Sequence, residues 1–277
     1  MNLRLLEGEM LIHKSFVYIV KGYQHPEGYA VAYPRYNLLL RCKLEPHEAR
    51  VLVKPAYWDC IKQYVPMVPI TESYGYRSTC TSSVVCEVKS TLEALLDVEL
   101  YLTGSASVLE NYNDVDFVIY GATEDVVAKT RKLVETGVLK KNESMLVNEY
   151  ARKHSSSMSL ADYLYLKKST ILHFMLLGVH VNLKLVQYKY GYRECTDPVL
   201  DFKLVTGKIR VLKPINPHTI PARYEALLNN RSVVLESLRE VYSELEPGDY
   251  YIQNARMEVR RSGLYVVPDS GVLLPLR

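Results

Sequence analysis

The order of apolar and polar residues predicts short strands in the first quarter of the chain. Residues 16–21 form an apolar run, residues 25–28 form a turn, and an extended pattern resumes at residues 29–33. Four prolines, at positions 46, 55, 66 and 69, then make a long helix unfavourable. We therefore expect a β-rich N-terminal segment over residues 1–75.

Between residues 76 and 195 the pattern predicts a mixture of helices and strands. Residues 90–93 have the spacing of a helix-capping box, which predicts a short helix up to residue 96. Apolar and polar residues alternate over residues 179–186, as is typical of a strand with one wet face. The remaining pattern predicts further strands at 98–102 and 117–120 and helices at 124–135 and 161–177.

Residues 196–277 are predicted to form a C-terminal α+β segment. One long amphipathic helix is expected at 222–245, followed by a small β-meander with strands near 250–259, 264–267 and 272–276. The predicted fold class is therefore α+β, with a mixed core at 76–195 between the β-rich N-terminal segment and this C-terminal segment.

The composition is that of a globular protein. Of the 277 residues, 48% are hydrophobic and 23% are charged, which excludes a disordered or collagen-like chain. The formal net charge of +3 is too small to argue for broad attraction to nucleic acids or membranes. Five irregularly spaced cysteines do not make the framework of a secreted disulfide-rich domain. No apolar stretch is long enough to span a bilayer, so we expect a cytoplasmic protein without a membrane partner.

One acidic block contains the residues that carry candidate chemistry. Residues 91–140 hold four basic and nine acidic residues, whereas the rest of the chain is mildly basic. Within the block, Gly104 and Ser105 follow a predicted strand, and Asp114 and Asp116 flank the start of the next. A glycine lets the backbone turn sharply and approach a phosphate, and two carboxylates two residues apart on a strand point to one face. Mg²⁺ takes one or two such carboxylates together with substrate phosphates.

This passage resembles the signature of the DNA polymerase beta-type nucleotidyltransferase superfamily, which is Gly-Ser, about ten residues, and then Asp-hydrophobic-Asp-hydrophobic. The wider chain is similar to a family of archaeal predicted nucleotidyltransferases at residues 20–26, 32–36 and 220–224. The resemblance implies a nucleotidyltransferase-type mixed sheet with helices. It also implies transfer of a nucleoside monophosphate from a nucleoside triphosphate to an acceptor (RNA, protein or a small molecule), with Mg²⁺- or Mn²⁺-dependent release of pyrophosphate.

The resemblance also assigns expected roles to particular residues. Asp114 and Asp116 are expected to be catalytic metal ligands, and Gly104 and Ser105 are expected to hold the triphosphate. No Arg or Lys directly follows Gly104-Ser105, so Lys184 is the expected cationic contact to the phosphates.

The chain departs from the superfamily where a third carboxylate is expected. The strand at 179–186 offers Asn182 at that place, so Asn182 is the expected third residue of the metal site. An amide can bind a metal but carries no charge and is a poor base. Three alternatives remain open: a third carboxylate from elsewhere, with Glu149 and Asp162 as candidates; a site for one metal; or lost activity.

A second hypothesis follows from lost activity, namely a degenerate nucleotidyltransferase fold that binds nucleic acid or protein. Basic clusters at residues 152–154 and 167–168 could contact a polynucleotide or be solvated helix faces. Tyr188, Tyr190 and Tyr192 alternate with basic residues and glycine, which suits either base stacking or a half-buried strand.

Overall fold

The chain is described by a computed structural model that covers residues 3–77, 80, 82–191 and 194–276. It forms two compact units. The first consists of Met1–Lys140 and Leu172–Thr196, and the second of Lys141–Ile171 and Asp197–Arg277. Residues on both sides of the boundary expected near residue 75 belong to the first unit. The boundary expected near residue 195 falls where the chain passes into the second unit, which also includes residues 141–171 of the predicted mixed core.

The N-terminal part of the first unit is built from short antiparallel strands, as the sequence predicts. Its sheet has the strand order β4-β3-β2-β1-β8, with β7 paired to β3, and β5 and β6 form a separate hairpin. The strands are β1 (Met10–His13), β2 (Phe16–Val20), β3 (Tyr29–Asn37), β4 (Cys42–Lys43), β5 (Ala56–Trp58), β6 (Gln63–Val65), β7 (Met67–Pro69) and β8 (Tyr74–Gly75), and one short helix, α1 (Pro46–Leu52), lies between β4 and β5.

A buried histidine ties the start of the chain to this sheet. His25 is fully buried, and its Nδ1 accepts a hydrogen bond of 3.1 Å from the amide of Val31. Because Nδ1 is an acceptor, the ring proton lies on Nε2, which donates to the Leu5 carbonyl at 2.7 Å. The turn predicted at residues 25–28 therefore also fixes the position of the segment around Leu5.

The rest of the first unit contains a mixed sheet of strand order β11-β12-β10-β9, accompanied by two helices. The central pair β10–β12 is parallel, whereas β9 and β11 run antiparallel to their neighbours. The elements are α2 (Ser83–Leu96), β9 (Tyr101–Thr103), β10 (Val115–Tyr120), α3 (Glu124–Glu135), β11 (His173–Leu176) and β12 (Val179–Val186). The predicted helix at 124–135 and strand at 179–186 are confirmed.

Two helix predictions in this region are only partly correct: the helix expected up to residue 96 ends there but starts earlier, and the helix expected at 161–177 is shorter. Helix α2 begins at Ser83, and the Ser82 hydroxyl caps it by accepting from the Val85 amide. Ser90 therefore lies inside the helix and caps nothing. The helix expected at 161–177 ends at Lys167. The chain beyond it forms strand β11, and Leu177 and Gly178, both at positive φ, form the turn between β11 and β12.

The second unit is a small closed β-barrel. Strand β13 (Val199–Asn216) pairs with β17 (Gly248–Arg260) along its first part and with β15 (Ala222–Leu228) along its last part. With β16 (Arg231–Ser237) and β18 (Gly263–Val267), the strand order β13-β15-β16-β18-β17 therefore returns to β13. Only β16 and β18 are parallel within this ring. The elements of the unit are α4 (Glu143–Lys153), α5 (Leu160–Lys167), β13 (Val199–Asn216), β14 (Thr219–Ile220), β15 (Ala222–Leu228), β16 (Arg231–Ser237), β17 (Gly248–Arg260), β18 (Gly263–Val267) and β19 (Val272–Pro275), the last paired to β17.

The barrel interior and the two helices share one apolar core. Barrel residues such as Ile209, Leu235 and Ile252 belong to the same buried cluster as Met158 and Tyr163 of the helical segment. The α4–α5 segment thus contributes to the barrel core although it is distant from the barrel in the sequence.

The long helix predicted at residues 222–245 is wrong, because this stretch forms the hairpin β15–β16. Asn229 and Asn230 occupy its two-residue turn, both at positive φ, which is the backbone that a type I′ turn requires. The three C-terminal strands are confirmed. The α+β class is therefore correct, but the C-terminal part is a β-barrel rather than a helix with a small meander.

The five cysteines do include one disulfide, which joins Cys60 and Cys195, two residues of the first unit that are 135 positions apart in the sequence. Cys42, Cys80 and Cys86 are free thiols. Among the described residues, every helix is too short or too polar to cross a membrane.

Candidate functional site

Three neighbouring strands place the candidate residues side by side. In the register of the sheet, Asp116 of β10 lies opposite Asn182 of β12 on one side and Thr103 at the end of β9 on the other. Because side chains alternate along a strand, Asn182 and Lys184 share one face of β12, and Asp114 and Asp116 point to the same face of β10. The opposite face is made of buried apolar side chains such as Phe117 and Leu183.

The side chain of Asn182 forms hydrogen bonds with the carboxylates of both Asp114 and Asp116. Its side-chain amide donates to Asp114 Oδ2 at 3.0 Å and to Asp116 Oδ1 at 3.1 Å. The residue is only 3% exposed, and its Oδ1 is buried with no hydrogen-bond partner among the described residues. Asn182 therefore bridges the two carboxylates, while its carbonyl oxygen is a potential metal ligand.

Gly104 lies directly against Asp116. Its backbone has φ 70° and ψ −158°, a conformation that is essentially restricted to glycine. A Cβ at this position would overlap Asp116 Oδ2 and lie 2.9 Å from Asp116 Cγ. A side chain is thus excluded at residue 104 both by the backbone conformation and by the neighbouring carboxylate.

Ser105 begins a single 3-10 turn, Ser105–Ser107. The turn is held by the Ser107 hydroxyl, which donates to the Gly104 carbonyl at 2.6 Å, and by the Val108 amide, which donates to the Ser105 carbonyl at 3.0 Å. The Ser105 side chain is half-buried beside Gly104. One turn is too short to supply the dipole of an α-helix, so the hydroxyl and local amides are what the loop offers to an anion.

Tyr36 is a residue of this region that the sequence motif does not indicate. It lies on β3 and is 4% exposed. Burial is the largest cause that raises the pKa of its hydroxyl to about 12, and the charge of Asp116 is the second; the charge of Lys184 has a smaller, opposite effect on this pKa. The hydroxyl is therefore neutral near neutral pH and lies within electrostatic reach of both site residues. The only sequence signal for Tyr36 was its place in the stretch 32–36 that carries the family resemblance.

The two alternative third carboxylates have other partners. Glu149, on α4 of the second unit, accepts from Lys153 Nζ at 2.9 Å and from the Tyr163 hydroxyl at 3.0 Å. Asp162, on α5 of the same unit, accepts from the Ser159 hydroxyl at 2.6 Å. Within the described ranges, no three His, Cys, Asp or Glu side chains are grouped so that they could hold a metal ion.

The donor set suits one hard divalent cation that arrives with phosphates. Two carboxylates and one amide oxygen are oxygen donors of the kind Mg²⁺ binds, and Mg²⁺ commonly completes its shell with substrate phosphates and water. The described residues do not supply the additional carboxylate that a second protein-held metal would need.

Several of the other basic and aromatic side chains contact protein groups. Tyr188 stacks on Tyr23, with ring centroids 4.7 Å apart, so one face of its ring is covered. Tyr190 is exposed, and Tyr192 lies outside the described residues. Lys167 is 2% exposed and donates to the Glu240 carbonyl, and Lys168 pairs with Glu246 at 2.6 Å. In the cluster at 152–154, Lys153 pairs with Glu149 at 2.9 Å, and Arg152 is exposed.

Comparison with known proteins identifies no relative: no protein-family model, curated protein or solved structure matches the chain.

Proposed function

We propose that the first unit is a metal-dependent nucleotidyltransferase that transfers a nucleoside monophosphate from a nucleoside triphosphate to an acceptor. The observation that carries this proposal is the packing of the Gly104 backbone against Asp116, with Asp114 and Asn182 in hydrogen-bonded contact beside it. Such an arrangement places a phosphate-accessible loop next to paired carboxylates, which is the combination that phosphoryl-transfer chemistry uses.

In the proposed reaction, an acceptor hydroxyl attacks the α-phosphorus, the bond from that phosphorus to the α,β-bridging oxygen breaks, and pyrophosphate leaves. The hydroxyl proton passes to a site carboxylate or to water. A bound Mg²⁺ or Mn²⁺ supplies charge neutralisation for the triphosphate. Asp114 and Asp116 hold the cation, Asn182 orients both carboxylates and can offer Oδ1, and Gly104, Ser105 and Lys184 contact the phosphates.

The neutral amide at residue 182 has a consequence for how the cation binds. With two rather than three negative charges from the chain, the site attracts a free divalent cation weakly, because affinity for hard cations rises with the charge of the ligands. The triphosphate supplies the missing negative charge. We therefore expect the cation and the nucleotide to bind together.

The test compares the wild-type protein with Asp114→Asn and Asp116→Asn, which preserve side-chain volume, and with Glu135→Gln as a control on an exposed residue of α3. Each protein is incubated with labelled nucleoside triphosphates, Mg²⁺ or Mn²⁺, and total cellular RNA and protein. We expect the wild type and the control to bind the metal–nucleotide complex and to transfer label with pyrophosphate release, and both site variants to lose binding and transfer. Unchanged binding in both site variants would contradict the proposal.

A second candidate function, a nucleic-acid-binding module without catalysis, is favoured by the second unit. Numbering its barrel strands 1 to 5 along the chain gives the closed order 1-2-3-5-4, in which strand 1 pairs with both 2 and 4. This connectivity is similar to that of oligonucleotide- and oligosaccharide-binding barrels. Against strong electrostatic binding, Lys208 and Arg210 on the barrel surface are already paired with Asp249.

Fluorescence anisotropy with labelled single-stranded RNA distinguishes the two functions. A binding module gives saturable RNA binding that is the same in Asp116→Asn and is accompanied by no pyrophosphate release in any mixture. A nucleotidyltransferase gives pyrophosphate release that depends on Asp116, whether or not RNA binds.

A further inference from the structure

A pocket of about 170 Å³ lies in the first unit, apart from the Asp114–Asp116 site. It opens on the same face of the sheet, because Tyr120, which lines it, is four residues beyond Asp116 on β10, or roughly 13 Å along the strand. Gly8 separates the two places. Its carbonyl accepts from the Thr103 hydroxyl at 2.8 Å, and a Cβ on Gly8 would lie 3.0 Å from Val118 Cγ2. The pocket is therefore a distinct place on this face rather than an extension of the metal site.

Two arginines, Arg4 and Arg77, line the pocket. The Arg4 guanidinium donates to the Tyr101 hydroxyl at 2.6 Å and lies 4.2 Å above the ring of that tyrosine. The Arg77 guanidinium lies 5.7 Å from the same ring and is exposed. Within the described part of the chain, neither guanidinium forms an ion pair, whereas the third cation of the lining, Lys89, is paired with Glu93 at 2.6 Å.

The two carboxylates of the lining accept hydrogen bonds from other groups of the chain. Glu9 accepts from the backbone amides of Arg4 at 3.1 Å and Leu5 at 2.5 Å, and Glu99 accepts from the Tyr101 hydroxyl. These acids order the wall of the pocket, and Glu9 also lies close enough for its charge to interact with the guanidinium groups of Arg4 and Arg77. Unpaired guanidinium donors at a concave site favour a group that accepts two parallel hydrogen bonds, such as a phosphate.

The backbone around Arg4 is held in place on several sides. The Gly191 amide donates to the Arg4 carbonyl at 2.6 Å, and the Leu5 carbonyl accepts from His25. Residue 191 must be glycine for this approach, because a Cβ there would overlap the Leu5 carbonyl oxygen. The position of Arg4 is thus fixed before any ligand arrives, which lowers the entropic cost of binding.

Aromatic rings form another wall. Tyr101 and Tyr120 lie with centroids 5.2 Å apart and tilted by 52°, and the Arg4 guanidinium is within 5.1 Å of the Tyr120 ring as well. Such a surface accepts the apolar or planar part of a small molecule beside its anionic group. The volume is below the roughly 300–1,000 Å³ of pockets that enclose drug-sized ligands, so only a small ligand or one end of a larger ligand fits.

From these features we infer that the pocket bounded by Arg4, Arg77, Tyr101 and Tyr120 binds a phosphate monoester. The two guanidinium groups contact the phosphate, and the tyrosine rings contact the organic part. This inference does not depend on the proposed transferase activity, because none of the residues assigned to that activity lines the pocket. A sugar phosphate and a nucleoside monophosphate share the recognised group, and the experiment separates them.

The experiment titrates the full chain, by isothermal calorimetry, with inorganic phosphate, ribose 5-phosphate, adenosine monophosphate and adenosine. The variants are Arg77→Gln, in which an exposed side chain changes without risk to folding, Arg4→Gln, and Arg50→Gln as a control on an exposed arginine of α1. Asp116→Asn is included to separate this pocket from the transferase site.

We expect at least one phosphate monoester to bind the wild type, Arg50→Gln and Asp116→Asn with equal affinity, and adenosine not to bind. Arg77→Gln and Arg4→Gln should each weaken binding by about tenfold or more, as expected for loss of a charge-assisted hydrogen bond. Tighter binding of adenosine monophosphate than of ribose 5-phosphate identifies a nucleotide ligand. Absence of binding by any monoester, unchanged affinity in Arg77→Gln, or loss of binding in Asp116→Asn overturns the assignment.

Discussion

Gly104 and Asp116 are packed so closely that the glycine backbone forms one wall of the carboxylate's surroundings. A methyl group at residue 104 would overlap Asp116 Oδ2, and the residue is also held at φ 70°, where side chains are disfavoured. The loop after β9 and the carboxylate on β10 therefore constrain each other's position, so a change at one displaces the other.

The first prediction concerns Gly104→Ala. Two costs add at this position, namely positive φ for a residue with a Cβ and steric overlap with Asp116, so we expect the free energy of unfolding to fall by about 3 kcal/mol or more. Gly137→Ala is the matched control, because Gly137 also has positive φ (75°) but has open space around its Cβ position. It should lose only about 1 kcal/mol. Denaturant midpoints measure both, and equal losses would show that the contact with Asp116 is unimportant.

The second prediction concerns Asn182→Asp. Replacing the amide removes two hydrogen bonds and puts a third carboxylate beside Asp114 and Asp116. Without divalent cations we expect a loss of about 1–3 kcal/mol at neutral pH, which shrinks in acid as the like-charged carboxyls become protonated. Saturating Mg²⁺ should raise the thermal midpoint of this variant more than that of the wild type, because ligands that bind only the folded state stabilise it.

Asn142→Asp serves as the control for Asn182→Asp. Asn142 caps α4 through its side chain, and aspartate is an equally good cap, so this variant adds one negative charge without disturbing the site. It should show no extra response to Mg²⁺. An identical Mg²⁺ response of the two variants would mean that residue 182 is not near a cation site.

The third prediction concerns the disulfide between Cys60 and Cys195. Thiol titration of the unfolded chain should detect three groups before reduction, from Cys42, Cys80 and Cys86, and five after it. Because the bond closes a long loop, reduction should lower the free energy of unfolding by about 2–5 kcal/mol. The Cys42→Ser variant should show the same loss on reduction as the wild type. Five reactive groups before reduction would exclude the bond.

The fourth prediction concerns Asp269 in the barrel. Burial raises the pKa of its carboxyl from 3.8 to about 6, although the Ser237 hydroxyl and the Leu238 amide both donate to it. The folded state then binds the proton more tightly than the unfolded state, so stability should rise as the pH falls from about 6 to about 4. We expect a gain of about 2 kcal/mol from this group.

Asp269→Asn removes the titrating group and keeps one acceptor oxygen. The difference in unfolding free energy between the wild type and this variant should therefore change over the same pH interval, with the wild type gaining in acid. A difference that is constant between pH 7 and pH 4 would show that Asp269 has the same affinity for protons in both states.

The elements that sequence reasoning predicted correctly have a clear period and clear ends. Strand β12 alternates between apolar and polar residues and follows a glycine, and helix α3 lies between Gly121 and Gly137. Two of the three helix failures occurred where a tight turn follows or interrupts the predicted helix. The stretch after Ala222 is rich in good helix formers, and the decisive signal was the pair Asn229-Asn230, which reverses the chain. The tertiary environment of the barrel then overrides local helix propensity.

The candidate site was partly accessible to the same reasoning. The spacing of Asp114 and Asp116 and the place of Asn182 were visible in the sequence, since the period of a strand dictates which side chains share a face. Tyr36 was not accessible in this way, because it comes from a different sheet, and sheet-to-sheet contacts leave no periodic signal. The hydrogen bonds from Asn182 to both carboxylates depend on the parallel register of β10 and β12, which a single strand does not encode.

The interleaving of the two units along the chain limits how the protein can be divided into fragments. A fragment that ends at Thr196 would retain residues 141–171, whose apolar side chains Met158, Tyr163 and Leu166 belong to the barrel core that the fragment lacks. A fragment that begins at Asp197 would have the barrel strands without those side chains. During synthesis, moreover, Asn182 leaves the ribosome long after Asp116, so β10 cannot pair with its parallel partner β12 until that later segment has been made. Neither half of the gene therefore encodes a self-sufficient folding module, and a rearrangement that separates them should yield two incomplete cores.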